Sequence, residues 1–181
     1  RLILRKNYYY DFIYSNIGFV SLVVSDKGVV MTSPPEKSLE KSLIKIKDFN
    51  NKLFKNEEKT FMYKNKLELY FKGKEINFED IYLDLLIGTE FQKKVWNICR
   101  KIKFGELKSY KWISEMIESK PYAYRAVGNA LRLNPVPIFV PCHRVIGTNG
   151  KLCGYNSLQG ISVKKKLINL EKYYKDSLIN E

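Results

Sequence analysis

Histidine and cysteine are scarce in this chain, and their scarcity narrows the chemistry that it can perform. One histidine and three cysteines occur among 181 residues. An odd number of cysteines without a framework spacing argues against a disulfide-stabilised secreted domain and favours a reducing compartment, the cytoplasm or, in a eukaryote, the nucleus. Residues 1–88 contain neither residue type. A zinc site of Cys and His is therefore excluded in that half, and we expect no metal and no cofactor.

Long apolar runs are also missing, and acidic residues are comparatively few. No stretch approaches the roughly 18 consecutive apolar residues of a membrane span, and the N-terminal residues lack the pattern of a secretory signal. Lys and Arg number 32 against 19 Asp and Glu, a net charge of +13. This surplus suits a polyanionic partner such as nucleic acid or an anionic membrane surface. The alternative is a basic, solvated surface without a particular partner.

The first half is rich in β-prone residues between turn signals. Runs of Tyr, Phe, Ile and Val predict three strands in an antiparallel meander, at Tyr8–Tyr14, Phe19–Val24 and Val29–Thr32. Apolar residues at helical spacing predict a helix within Glu36–Phe54 that packs on this sheet. Leu67–Phe71 is expected to add a further strand.

Near Ile87–Thr89 the character of the chain changes from β-rich to helix-rich, which predicts a domain boundary between about Asp80 and Gly88, with domains 1–84 and 85–181. Thr89 and Gln92 have the spacing of a capping box at the start of a helix, which we expect to end at Gly105. The apolar face of this helix places Cys99 in the core and not at a second reactive site.

The next segment has the pattern of a helix-turn-helix. Ser109 can cap a first helix, residues 119–121 form the break, and Tyr124–Leu133 forms a second helix that bears Arg125 and Arg132. A helix with arginines and small residues could lie against DNA. The pair could equally be core packing.

The apolar, strand-like run Ile138–Ile146 contains Cys142 beside His143, the single histidine. An imidazole next to a thiol is a common way to favour the nucleophilic thiolate. The other reading is a buried cysteine that behaves as a small hydrophobe. Beyond this run, Thr148–Gly150 predicts a hairpin turn with a return arm to Tyr155, and an amphipathic helix is expected over Val163–Tyr174.

Taken together, these motifs resemble the O6-alkylguanine-DNA alkyltransferase family, whose members move an alkyl group from guanine to one of their own cysteines. The resemblance covers nearly all of residues 88–171, while the first half matches only in outline. It implies an α+β fold, with a small N-terminal ribonuclease H-like α/β domain followed by a mostly helical, winged-helix-like domain that holds the helix-turn-helix. The matching residues are Gly88–Gln92, Val95–Trp96, Phe104–Glu106, Ser109–Tyr110, Arg125–Ala130, Asn134–Pro137, Pro141–Gly147, Gly154–Tyr155 and Lys164–Glu171.

The resemblance also implies catalytic roles. Cys142 would accept the alkyl group, His143 would take the thiol proton through a water, and Glu171 would support the imidazolium. Asn134 would hold the turn around the active site, and Tyr110 would donate a proton or hydrogen bond to the departing guanine.

The implied partner is double-stranded DNA carrying O6-alkylguanine, which the protein would bind in the minor groove without sequence preference. The protein is expected to be a monomer and to have no membrane partner. The damaged base would be flipped out of the duplex, with Arg125 filling the vacated space. The implied DNA-contacting residues are Ser109, Tyr124, Arg125, Ala126, Gly128 and Arg132. The implied pocket residues are Tyr110, Leu131, Val145, Tyr155, Asn156 and Ser157, and the segment 156–160 is about two residues longer than in several relatives.

Two other functions remain open from the residues. One is a non-catalytic module that binds alkylated bases and flags them for other pathways, although members of that kind lack the acceptor cysteine. The other is a conventional thiol hydrolase that uses Cys142 and His143 over many turnovers.

Overall fold

The computed structural model of this chain describes residues 7–47, 53–118, 123–154 and 160–179. The first half is built on a four-stranded sheet of order β3-β2-β1-β4. Its strands are β1 (Tyr8–Tyr14), β2 (Phe19–Val24), β3 (Val29–Thr32) and β4 (Leu53–Lys55). The three predicted strands and their antiparallel meander are confirmed. The additional strand β4 pairs in parallel with β1.

Both faces of this sheet are covered, which explains why β2 is apolar along nearly its whole length. The helix α1 (Leu39–Lys47) covers one face, where Val23 and Ile46 belong to a small buried cluster. The helix α2 (Glu57–Phe71) packs on β1 and β2 from the other side, where Leu22 joins the main core.

The helix α2 corrects two predictions. Leu67–Phe71 is the last turn and a half of this helix and not a strand, and the predicted helix Glu36–Phe54 is shorter, with β4 formed where its end was expected. Asn56 caps α2 by accepting a hydrogen bond from the Lys59 amide at 2.9 Å. The buried residues of α2 have helical spacing, but charged residues between them hide this pattern in the sequence; they are Thr60, Leu67, Tyr70 and Phe71.

In the described part of the second half there are four further α-helices, α3 (Glu90–Arg100), α4 (Tyr110–Met116), α5 (Tyr124–Arg132) and α6 (Ile161–Ile179). The capping box of Thr89 and Gln92 and the Ser109 cap are confirmed. The predicted break at residues 119–121 lies outside the described residues. The prediction that α3 ends at Gly105 is wrong, because the helix ends at Arg100. Gly105 instead adopts a left-handed conformation, with φ of +71°.

The run around Cys142 also differs from its prediction. Cys142–Arg144 forms a short 3-10 helix, and only Val145–Ile146 is a strand (β6), which pairs in parallel with Lys108–Ser109 (β5). The turn at residues 148–150 is present, with the Gly147 amide donating to the Lys151 carbonyl at 2.9 Å. Its return arm is not a strand over the described residues 151–154, and Tyr155 lies outside them.

One continuous core joins residues from both halves of the chain. Leu22 and Tyr70 from the first half belong to the same buried cluster as Trp96, Phe139 and Leu167 from the second. The division at residue 84 stays a prediction. Within the described ranges, no helix combines the length and the apolarity that a membrane-spanning segment needs.

Candidate active site

Asn134 and the turn that follows it hold the Cys142 thiol in place. The Asn134 side-chain amide donates to the Val140 carbonyl at 2.8 Å and to Cys142 Sγ at 3.2 Å, and its oxygen accepts from the Val136 amide at 3.0 Å. The thiol is 4% exposed. Burial raises its pKa, while the hydrogen bond from Asn134 and the charge of Lys164 act in the opposite direction. Cys142 therefore needs a base to become a thiolate at neutral pH.

The strand β3 anchors the connector that carries Asn134. The Thr32 amide donates to the Pro135 carbonyl at 3.0 Å, and the Thr32 hydroxyl donates to the Pro137 carbonyl at 2.8 Å. Because the two prolines also restrict the backbone, this connector is fixed from within and from the sheet.

His143 and Glu171 form a buried pair behind the thiol. His143 Nε2 lies 2.6 Å from Glu171 Oε1, and both side chains are almost fully buried. A carboxylate only accepts hydrogen bonds, so Nε2 of the neutral imidazole must carry the proton. The basic lone pair is then on Nδ1, a buried atom that has no hydrogen-bond partner among the described residues. This tautomer leaves Nδ1 able to accept a proton.

Besides His143, two side chains and one backbone amide fix the carboxylate of Glu171. Arg144 donates to both oxygens at 3.0–3.2 Å, and its Nη1 donates to the Ile102 carbonyl at 2.6 Å. The Gly105 amide donates to Oε2 at 2.9 Å, and the Tyr70 hydroxyl donates to Oε1 at 2.7 Å. A buried carboxylate with this number of donors cannot rotate away from His143.

Opposing effects set the ionisation of this pair. Burial alone would raise the pKa of Glu171, but the charges and hydrogen bonds of His143 and Arg144 hold it well below its usual range. Burial lowers the pKa of His143, against the attraction of Glu171, and the charges of Arg144 and Lys164 lower it further. At neutral pH the arrangement is thus a carboxylate beside a neutral imidazole, which becomes an imidazolium when it accepts a proton.

Tyr110 and Lys164 form a second polar group near the thiol. Lys164 is 0% exposed, and its ammonium donates to the carbonyls of Val145 and Cys153 at 2.5 and 3.1 Å and to Tyr110 Oη at 3.4 Å. Burial raises the pKa of Tyr110 to about 12. An ammonium beside the phenol favours the phenolate that would form if Tyr110 gave up its proton.

A cavity of about 490 Å³ opens between the helix pair α4–α5 and the segment after β6. Tyr110, Tyr124, Arg125, Gly128 and Arg132 from the predicted site line it. The cavity is also lined by Lys111, Gly147, Thr148, Cys153 and Gly154.

The other predicted residues that the structure describes are not among those that line this cavity. Leu131 and Val145 are buried and not among its lining residues, so their pocket role stays a prediction. Tyr155, Asn156 and Ser157 lie outside the described residues. Ser109 accepts from the Trp112 amide at 3.0 Å as a helix cap, and Ala126 is exposed on α5.

Sequence reasoning missed Tyr70 and Lys164. Lys164 had a signal, because it lies seven residues before Glu171 and next to Val163, so it falls on the buried face of the last helix. Tyr70 had no such signal in the sequence, because it lies 101 residues from Glu171 in a segment for which a strand was predicted. Within the described part of the chain, no group of three or more His, Cys, Asp or Glu could hold a metal ion.

The chain matches a family described as 6-O-methylguanine DNA methyltransferase, DNA binding domain, over residues 90–173. A methylated-DNA–protein-cysteine methyltransferase of Methanosarcina barkeri is 41% identical over 91% of this chain and 97% of its own length. The crystal structure of a Mycobacterium tuberculosis O6-methylguanine methyltransferase is similar at a TM-score of 0.74 and 36% identity, over 92% of this chain and 94% of that one. A second M. tuberculosis structure, of OGT in complex with DNA, matches at a TM-score of 0.74 and 35% identity over the same shares.

These similarities confirm the mixed α+β fold and the family expected from the motifs. They extend through the first half, where the motifs matched only in outline. The chain belongs to the methylated-DNA–protein-cysteine methyltransferase family.

Proposed function

We propose that this protein repairs DNA by moving the alkyl group of O6-alkylguanine, mainly methyl, to Sγ of Cys142, once per molecule. The observation that carries this proposal is a pair of buried contacts in a member of this family, from Asn134 to the Cys142 thiol at 3.2 Å and from His143 to Glu171 at 2.6 Å. The M. barkeri relative is named for the same reaction.

The proposed transfer balances without a cofactor. His143 Nδ1 takes the thiol proton through a water, and the imidazolium is stabilised by Glu171. The Cys142 thiolate attacks the alkyl carbon in line with the bond to oxygen, so the S–C bond forms as the C–O bond breaks. The electron pair leaves on guanine, where Tyr110 donates a proton or hydrogen bond, and Lys164 stabilises the resulting charge on the phenol.

DNA is the proposed partner, and the helix α5 is its proposed binding surface. The base to be repaired must leave the stack, because its alkylated edge is otherwise buried in the duplex. Tyr124, Arg125 and Arg132 are exposed beside the cavity, which supports a minor-groove position for α5 with Arg125 in the space of the flipped base. A net charge of +13 supports binding through phosphates without sequence preference.

The proposed architecture follows the same resemblance. The covered sheet of the first half supports a ribonuclease H-like shape, and the helices α4 and α5 beside the short β5–β6 pair support a winged-helix-like second domain. We place their boundary at residue 84. A monomer suffices, because a transfer that occurs once per molecule requires no symmetry.

The test is the mass of the thiol peptides after incubation with a duplex that contains O6-methylguanine. The Cys142 peptide should gain one methylene unit, up to one equivalent per protein. The other two free thiols, buried Cys99 and exposed Cys153, are controls within the same digest and should stay unmodified. A Cys142→Ser variant should leave the lesion intact. Repeated turnover, or an unmodified Cys142 with the lesion intact, would contradict the proposal, and tight lesion binding without transfer would identify a flagging module instead.

A further inference from the structure

Tyr70 reaches the candidate active site from the first half of the chain. It lies in the last turn of α2, is 0% exposed, and packs its ring edge-on against Phe71 and Phe104. Its hydroxyl lies 2.7 Å from Glu171 Oε1 and 3.3 Å from His143 Nε2. A phenol hydroxyl thus touches both members of the buried pair.

The donors and acceptors at this point can be assigned by counting protons. The hydroxyl of Tyr70 has one proton, and the Glu171 carboxylate can only accept, so Tyr70 donates to Oε1. Nε2 of His143 directs its own proton to the same oxygen. Tyr70 therefore shares with His143 the oxygen that would stabilise the imidazolium.

Packing explains the ring of Tyr70 but not its hydroxyl. A phenylalanine would fill the same aromatic cluster without placing a polar atom in the core, where an unpaired hydroxyl is costly. Arg144 and the Gly105 amide already donate to Glu171. The hydroxyl thus adds a further donor to a carboxylate that already accepts hydrogen bonds from other groups.

We propose that Tyr70 is a positioning residue for the transfer, whose hydroxyl donates to the Glu171 Oε1 that also faces His143 Nε2 and in this way moderates how strongly Glu171 attracts the imidazolium. This inference rests on the proposed function and extends it to the first half of the chain. The other charged groups that act on His143 are Arg144 on its own segment and Glu171 and Lys164 on α6. The titratable thiol of Cys142 belongs to the residue directly before it.

The test is a Tyr70→Phe variant, with Tyr63→Phe as the matched control on the same helix. His143 is the single histidine, so its ring nitrogens give unique signals in a nitrogen-15 NMR titration. Without the hydroxyl, Glu171 loses a donor and attracts the imidazolium more strongly. The pKa of His143 should then rise by about half a unit or more, and the acid limb of the single-turnover rate profile should move by the same amount. Tyr63→Phe should change neither.

Placing 3-fluorotyrosine at position 70 provides a second measurement that does not depend on the folding of Tyr70→Phe. Its more acidic hydroxyl donates more strongly, so the pKa of His143 should fall. An unchanged or oppositely shifted His143 pKa in either variant overturns the inference, even if thermal stability decreases. If His143 does not shift while Cys142 is still methylated, the role of Tyr70 fails and the proposed function stands. If wild-type Cys142 is never methylated, the proposed function itself fails.

Discussion

Cys142 depends on its neighbours for reactivity, because burial opposes the thiolate more than Asn134 and Lys164 favour it. The relevant ionisation at the residue scale is therefore that of the His143–Glu171 pair. Glu171 keeps its charge because Arg144, an always-protonated guanidinium, lies 3.0 Å away. His143 stays neutral through burial and can accept a proton. Each ionisation state is set by contacts between residues that are distant in sequence.

The pH dependence of stability follows from these two shifts. The pKa of Glu171 is lower in the folded protein than the value of about 4.3 for an unfolded chain, so its contribution is present above about pH 4.3 and is lost as the pH falls towards the folded value. The lowered pKa of His143 means that the unfolded chain binds the proton first, so stability begins to fall below about pH 6.5. Both groups therefore reduce stability on the acid side.

A Glu171→Gln variant tests this balance. It should lose about 3 kcal/mol of unfolding free energy at neutral pH, because Arg144 is left buried without its counter-charge. Its stability should also depend less on pH below about 4.3. Urea unfolding at a series of pH values measures both effects. An exposed acid, Glu75→Gln, is the control, and an acid-side slope equal to that of the wild type in Glu171→Gln would contradict the assignment.

At the scale of elements, α5 presents a face that the protein's own packing does not fully explain. Gly128 lies in the middle of this helix, and a Cβ there would meet the Tyr110 ring at 3.7 Å, an ordinary contact. Folding therefore does not require glycine at this position. Close approach of another molecule, such as a DNA backbone, does favour it.

A Gly128→Ala variant separates folding from DNA binding. Alanine should stabilise the protein by about 0.5–1 kcal/mol, because it lowers the backbone entropy cost within the helix. Affinity for duplex DNA should nevertheless fall, since the methyl group keeps the helix further from the backbone. Thermal unfolding and fluorescence anisotropy measure the two effects. If the Gly128→Ala variant gains stability but keeps its affinity for duplex DNA, then DNA does not bind against this part of α5.

Elements with strong local signals were predicted from the sequence, and those without them were not. The strands β1–β3 and the caps Thr89 and Ser109 depend on neighbouring residues, so the pattern alone located them. The sequence predicts a strand for the end of α2, because Lys and Glu interrupt its buried positions and only the sheet beneath defines its inner face. The 3-10 turn at Cys142 is held by Asn134, which a strand-like apolar run does not reveal.

At the scale of the whole molecule, the two halves of the chain share one hydrophobic core. The net charge of +13 is summed over the whole chain, and the core joins both halves into one buried cluster. Through this cluster the first half supports the site, with Thr32 on the proline connector and Tyr70 on Glu171. We therefore expect the stability and reactivity of the second half to depend on the first.

The surplus of basic residues predicts strongly salt-dependent DNA binding. Affinity should fall steeply between about 50 and 200 mM salt, because each neutralised phosphate releases counterions. Arg132→Gln on α5 should reduce the slope of log affinity against log salt by about one. Lys41→Gln, an exposed lysine on α1, is the control and should leave the slope unchanged. An equal change in slope for both variants would show that phosphates are not contacted through α5 in particular.

The sequence by itself determined the β-meander, the helix caps and the family, and its resemblance to that family led us to expect chemistry at Cys142, His143 and Glu171. These properties follow from neighbouring residues and from motifs, both of which are present in the amino-acid sequence. Only the tertiary structure decided that Tyr70 and Lys164 belong to the site and that α2 is a helix. It also decided which ring nitrogen of His143 carries the proton. The physical reason is that these properties depend on burial and on contacts across as many as 101 positions, such as that of Tyr70 with Glu171, which exist only once the chain has packed.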